Sequence, residues 1–125
     1  GLGEDRIRFV QADLTADSIP QVPGPYDLLV DYGTLDDLPA DGRRAMADLV
    51  TSLARPGSRF FLFAFSGHPE DLPRFSFGGP SRAFPGIVPG EVEALFEPAF
   101  SVELLKAPTR RSLIATYLLE RAAGG

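Results

Sequence analysis

Apolar residues along this chain change spacing several times, and each change marks an element. In PYDLLVDYGTLDDL, residues 25–38, Leu28, Leu29 and Val30 form an unbroken apolar run between turn formers. That pattern predicts a strand over Asp27 to Asp31, covered on both faces as in a parallel sheet. From Ala40 to Ala54 the spacing becomes helical. Met46, Leu49, Val50 and Leu53 fall at i, i+3, i+4 and i+7, with Arg43, Arg44, Asp48 and Ser52 turned away and Asp37 or Asp41 placed to cap the start. RPGS at 55–58 stops this helix, and RFFLFAF, Arg59 to Phe65, predicts a second fully buried strand. Upstream, IRFVQAD, Ile7 to Asp13, predicts a first strand with Ile7, Phe9 and Ala12 inward. Residues 14–26, with Pro20, Pro23, Gly24 and Pro25, make a connection. Downstream, a short helix begins near Pro89, carries Glu91 and Glu93 in its first turn and Val92, Leu95 and Phe96 on one face, and ends at Pro98. FSVELLKA and SLIATYLLER then predict two strands, joined through PTRR as an antiparallel hairpin.

Composition narrows the class. With 125 residues, 44% of them hydrophobic, the chain supports one core and not two domains. Its 12 Lys plus Arg are scattered among 17 Asp plus Glu, which argues against a phosphate-tracking surface and hence against nucleic acid. The absence of cysteine removes disulfides and thiolate metal sites, and the lone histidine has no partner at ligand spacing. No apolar run approaches the ~18 residues of a membrane span, and no leader pattern opens the chain, so it reads as cytoplasmic with no membrane partner. The only methionine is Met46 and the chain opens at Gly1, from which a processed or truncated start is expected.

Candidate chemistry concentrates where strands end. Ligands in parallel sheets sit beyond the carboxyl ends of the strands, which directs attention to Asp31, Tyr32 and Gly33. Residues 66–90 are crowded with glycine, proline and aromatics and are long for a connector, so 67–88 reads as a substrate lid loop. His68 stands in it as the usual neutral-pH base, and Phe75, Phe77 and Phe84 either wall an apolar acceptor pocket or anchor the loop to the core. A nucleophile elbow at Ser66 fails, because Ala64 and His68 occupy the two glycine positions.

The order of strand and acid, PYDLLVDYGTL, amphipathic helix, LARPGS turn, buried strand, long loop, helix and terminal hairpin resembles the second half of a class I S-adenosylmethionine-dependent methyltransferase. Ser58 stands where that family has the second glycine of its turn, and the family's glycine-rich turn after the first strand has no counterpart. Gly1-Leu2-Gly3 follows no strand, and Arg6 sits where the fingerprint wants a small residue. The resemblance implies an α/β, Rossmann-like three-layer sandwich whose partly parallel sheet ends in an antiparallel hairpin. It also implies one partial domain over 1–125, from the third strand to the C-terminus, with the N-terminal part of the fold missing.

For function the resemblance implies methyl transfer from S-adenosylmethionine to a small-molecule acceptor. Asp13 then accepts a hydrogen bond from the cofactor's adenine amine and the Leu14 amide meets a ring nitrogen, while Asp31, Tyr32 and Gly33 line its methionine part. Without the resemblance, Asp13 suits an Asx turn equally well, and Asp31 reads first as a strand-end acid bonding nearby amides. A non-catalytic, truncated or degenerate methyltransferase-like interaction domain is the alternative. A nicotinamide oxidoreductase of the short-chain type needs Tyr-x-x-x-Lys, but the only lysine, Lys106, follows Val102 at that spacing. With no first strand beside it, YDLLV is expected to leave an edge open for self-association, or for pairing of Ile7 to Ala12 against Tyr26 to Asp31.

Overall fold

Strand β1 (Tyr26–Tyr32) runs parallel to β2 (Ala54–Phe65), joined by a 3-10 turn (Leu35–Asp37) and helix α1 (Ala40–Leu53). This computed structural model describes residues 7–68, 70, 72, 74–75, 82–83 and 86–123. After β2 come two short paired strands, β3 (Arg74–Phe75) and β4 (Arg82–Ala83), then helix α2 (Glu91–Phe96) and the antiparallel pair β5 (Phe100–Lys106) and β6 (Ile114–Arg121). The main sheet has the order β1-β2-β6-β5, so the chain returns to lay β6 against β2 before closing with β5 outside.

The two periodicities account for one layer of packing. Even-numbered residues of β2 (Phe60, Leu62, Ala64) and odd-numbered residues of β6 (Ala115, Tyr117, Leu119) share a face, as strand alternation requires. The stripe of α1 (Met46, Ala47, Val50) and Val92 and Phe96 of α2 cover it. Phe96 packs against Phe60 at 5.6 Å and edge-on against Phe100 at 5.7 Å between ring centroids. Arg44 fastens the helices together by donating to the Ala94 and Leu95 carbonyls, groups left free at the end of α2. The layer order is Rossmann-like, with helices on one face of the sheet among the described residues.

Several expectations change. The strand over Ile7 to Asp13 is absent, and Phe9 is 94% exposed. A strand needs a neighbour for its ladder, but among the described residues β1 pairs only with β2, and pairing of Ile7 to Ala12 with β1 does not occur. The segment is held instead by the Arg8 guanidinium donating to the Gln21 carbonyl and by a turn at Asp13. β1 is covered on one face only, with Leu28 at 58% and Val30 at 62% exposure on the other. Nor is β2 buried on both faces, since Phe61, Phe63 and Phe65 are half-buried. Neither Asp37 nor Asp41 is the N-cap of α1. Pro39 holds that place, while Asp41 accepts the Gly42 amide from inside the first turn.

RPGS does not separate helix from strand but forms the bulged start of β2. Tyr26 pairs with Ala54 and Leu28 with Arg59, and the extra residues turn at Gly57, whose φ of 87° suits glycine. Ser58 closes the bulge: its Oγ accepts the Arg55 amide at 2.9 Å and donates to the Tyr26 carbonyl at 2.6 Å. A second glycine there would lack both bonds.

Candidate functional site at the ends of the parallel strands

Asp31 shapes this end of the sheet. Its side chain lies on the buried face beside Leu62, and its two oxygens accept the amides of Thr34 at 3.1 Å and Leu35 at 2.9 Å. Those amides open the 3-10 turn and have no partner within it, so the carboxylate stabilises an abrupt change of direction. Gly33 sits inside the bend with φ 88°, bonded to the Phe63 carbonyl at 3.0 Å. Beyond its chain neighbours, no atom of the described residues lies within 4 Å of where its Cβ would stand, so the backbone is open to close approach. Tyr32 beside it is 73% exposed, its ring 5.2 Å from that of Phe63.

Asp36 follows in the turn and is 1% exposed. One oxygen, Oδ2, accepts the Phe65 amide at 3.0 Å, while Oδ1 has no hydrogen-bond partner. Burial pushes this carboxyl above the usual range. The bonds from the Phe65 amide and from the acid's own amide oppose that shift, and the charges of Asp37 and Asp31 add to it. Arg43 immobilises the same turn, with Nη2 donating to the Asp36 carbonyl at 2.8 Å, Nε to the Leu38 carbonyl at 2.8 Å and Nη1 to both oxygens of Glu91 at 3.0 and 2.9 Å. Glu91 also accepts the Val88 amide, so one guanidinium joins the turn, α1 and the start of α2. A cavity of about 40 Å³ lies at this end, lined by Tyr32, Gly33, Asp36, Phe63, Phe65 and Ile114 among others. Sequence reasoning missed Asp36, because an acid between Leu35 and a second acid reads as solvent-facing turn. Packing of the turn against β2 and α1 buries it.

The remaining predicted residues stand apart from this bend. Asp13 is exposed, its Oδ1 accepting the Thr15 hydroxyl at 2.6 Å and amide at 2.8 Å, bonds that hold it below the usual carboxylate range. Leu14 is exposed beside it. Thr15 faces the start of α1 across an open cleft of about 340 Å³ with Pro39, Asp41, Gly42 and Ala45. His68 is exposed, two residues beyond Ser66. The Ile87 amide bonds the Phe65 carbonyl at 2.8 Å and the Gly67 amide bonds the Ile87 carbonyl at 2.9 Å, so both ends of the 67–86 loop meet at the end of β2. Most of that loop, with Phe77 and Phe84, lies outside the described residues, as does the side chain of Phe75. Among the described residues no group of three or more ligating side chains forms a metal site, and no helix is long and apolar enough to cross a membrane.

No protein-family model and no curated protein matches the chain. Solved structures do. Burkholderia thailandensis 1,6-didemethyltoxoflavin-N1-methyltransferase, with bound 1,6-didemethyltoxoflavin and S-adenosylhomocysteine, matches 95% of this chain and 52% of its own at TM-score 0.64 and 18% identity. A structure from the conversion of a disulfide bond into a thioacetal group during echinomycin biosynthesis matches 91% of this chain and 55% of its own at TM-score 0.59 and 12% identity. The chain therefore spans about half the length of these solved structures, and what it shares with them is a Rossmann-like, methyltransferase-like fold.

Proposed function

We propose that the chain forms part of an S-adenosylmethionine-dependent methyltransferase acting on a small molecule. The reading is carried by the open Gly33 backbone beside the Tyr32–Phe63 pair at the ends of the parallel strands, in a fold shared with a methyltransferase. S-adenosylmethionine, when bound, supplies a methyl group already activated by its sulfonium, so the protein's work is alignment more than proton chemistry. Asp13 would accept the adenine amine and the Leu14 amide would meet a ring nitrogen. The backbone of Asp31, Tyr32 and Gly33 would line the methionine portion, with Asp31 holding the bend that presents Gly33. His68 would take a proton only from an acceptor that must lose one.

Calorimetry with S-adenosylhomocysteine on the full-length gene product tests this. Saturable binding is expected, weakened ten- to a hundredfold by Asp13→Ala and less by Asp13→Asn, whose amide oxygen still accepts. His68→Ala should leave that affinity unchanged. Normal binding by Asp13→Ala together with lost stability would leave Asp13 a turn residue only.

A second reading, a non-catalytic interaction domain, is favoured by the uncovered apolar side chains of β1 and its unpaired edge. Absence of S-adenosylhomocysteine binding by the full-length product would decide for it.

A further inference from the structure

We propose that the turn between β5 and β6 recognises the acceptor by charge, with Arg110 and Arg111 binding a carboxylate or phosphate group of an anionic small molecule. The word acceptor rests on the methyl-transfer reading, but the anion site itself rests on three features of the chain. The first is where the turn stands. β6 runs antiparallel to β2 and starts with Ile114 opposite Phe65, so the turn lies at the same end of the sheet as the Asp31–Gly33 bend. The Ser66 amide donates to the Leu113 carbonyl at 2.8 Å, which ties the turn to the end of β2. Ile114 lines the same small cavity as Tyr32 and Gly33. With β2 between β1 and β6, two strand spacings, about 10 Å, separate the bend from the turn, a distance that a substituted ring and an arginine side chain together span.

The second feature is charge. The protein carries a net charge of −5, yet residues 104–119 hold Lys106, Arg110 and Arg111 and no acid. Among the described residues, Arg43, Arg44 and Arg55 are in ion pairs, Arg8 and Arg121 donate to main-chain carbonyls, and Arg59 stands opposite Glu120 in the β2–β6 ladder. Arg110 and Arg111 are exposed, and neither guanidinium has an ion pair or hydrogen bond among those residues. Nearby acids do not cancel them. Asp31 is spent on the Thr34 and Leu35 amides, Asp36 is buried, and the exposed Asp37 and Glu70 pair with neither arginine. The third feature is a fixed frame. Thr109 Oγ1 accepts the amides of Arg111 at 3.3 Å and Ser112 at 3.0 Å, and the Thr109 amide donates to the Ser112 carbonyl at 2.6 Å. These bonds close the turn on itself and hold both arginines at its tip, so less backbone freedom is lost when an anion binds. Two guanidiniums at one tip offer the paired N–H donors that oxyanions accept.

Benzoate and benzamide have the same shape and differ in charge, so they separate this site from a turn whose arginines only face water. In nuclear magnetic resonance titrations of the full-length product, benzoate should bind about tenfold more tightly than benzamide and saturably shift the Arg110 and Arg111 Nε–H signals and the Leu113 and Ile114 amides. Arg110→Gln combined with Arg111→Gln keeps the backbone bonds of the turn and should reduce that preference to within about twofold. Arg59→Gln, which removes an exposed positive charge at the other end of β2, should leave it unchanged. Equal binding of the two probes by the wild type, saturation without shifts in the turn, or a preference that survives the double variant or falls as far in Arg59→Gln would overturn the proposal. The wild-type comparison decides alone if the double variant does not fold. S-adenosylhomocysteine titrated into the same product keeps the two readings apart. Its binding alongside equal probe binding removes only anion recognition, and its failure alongside probe selectivity removes only methyl transfer.

Discussion

At the scale of single residues, the acids near the end of β1 do opposite things to stability. Asp31 has a donor for each oxygen and supports the bend, whereas Asp36 is buried with one oxygen unmatched. Because burial raises the Asp36 pKa in the folded state above that of an ordinary aspartate, the folded protein holds that proton more tightly than the unfolded chain. Stability linked to Asp36 is therefore highest below the unfolded pKa and falls as pH rises through the folded one. Asp36→Asn, which keeps an acceptor for Phe65, should melt at a higher temperature than the wild type at pH 7. The gap should close as pH is lowered through the carboxylate range, as thermal denaturation across pH would reveal. A variant less stable at pH 7 would mean that the charge itself supports the fold.

Elements are tied together by few side chains, and Arg43 is chief among them. Its guanidinium bonds two carbonyls of the 3-10 turn and both oxygens of Glu91, in a setting largely shielded from water. Arg43→Ala leaves Glu91 and those carbonyls short of donors and should cost about 2–4 kcal/mol in denaturant unfolding. Arg43→Lys should recover only part of this, since a single ammonium cannot reproduce the fork. Hydrogen exchange at Asp37 and Leu38, whose amides bond within the turn, should speed up in both variants before global unfolding. In the core, Phe96 meets both Phe60 and Phe100, and Phe96→Ala should cost about 3–5 kcal/mol by leaving a cavity between α2 and the sheet.

For the whole molecule, the described layers are uneven. Helices cover the face of Phe60, Leu62 and Leu119, while Leu28, Val30 and Tyr32 stand in water on the other face of β1, along a strand edge with no partner. An unpaired edge continuous with exposed apolar side chains is a template for another polypeptide. We expect the chain to self-associate as its concentration rises in sedimentation experiments, and Leu28→Glu combined with Val30→Lys to return it to a monomer. Because both side chains already lie mostly in water, the double variant should keep its melting temperature. A wild type that stays monomeric at high concentration would count against an interaction role for this face.

Local pattern alone determined the elements whose causes are local. The stripe of α1, the glutamate-led start of α2 and the β5–β6 hairpin follow from spacing and turn chemistry, and they stand at those places within a few residues. The bend at Asp31–Gly33 was legible for the same reason, as a strand end followed by the residue that tolerates positive φ. Contacts distant in sequence decided the rest. Whether IRFVQAD becomes a strand depends on a neighbour to complete its ladder, and here none is present. Whether Leu28 and Val30 are buried depends on what covers the second face of the sheet, which no periodicity within β1 can state. Asp36 is the sharpest case. Its neighbours in sequence are those of an exposed turn, and contacts distant in sequence, among them the Phe65 amide 29 residues away, remove it from water.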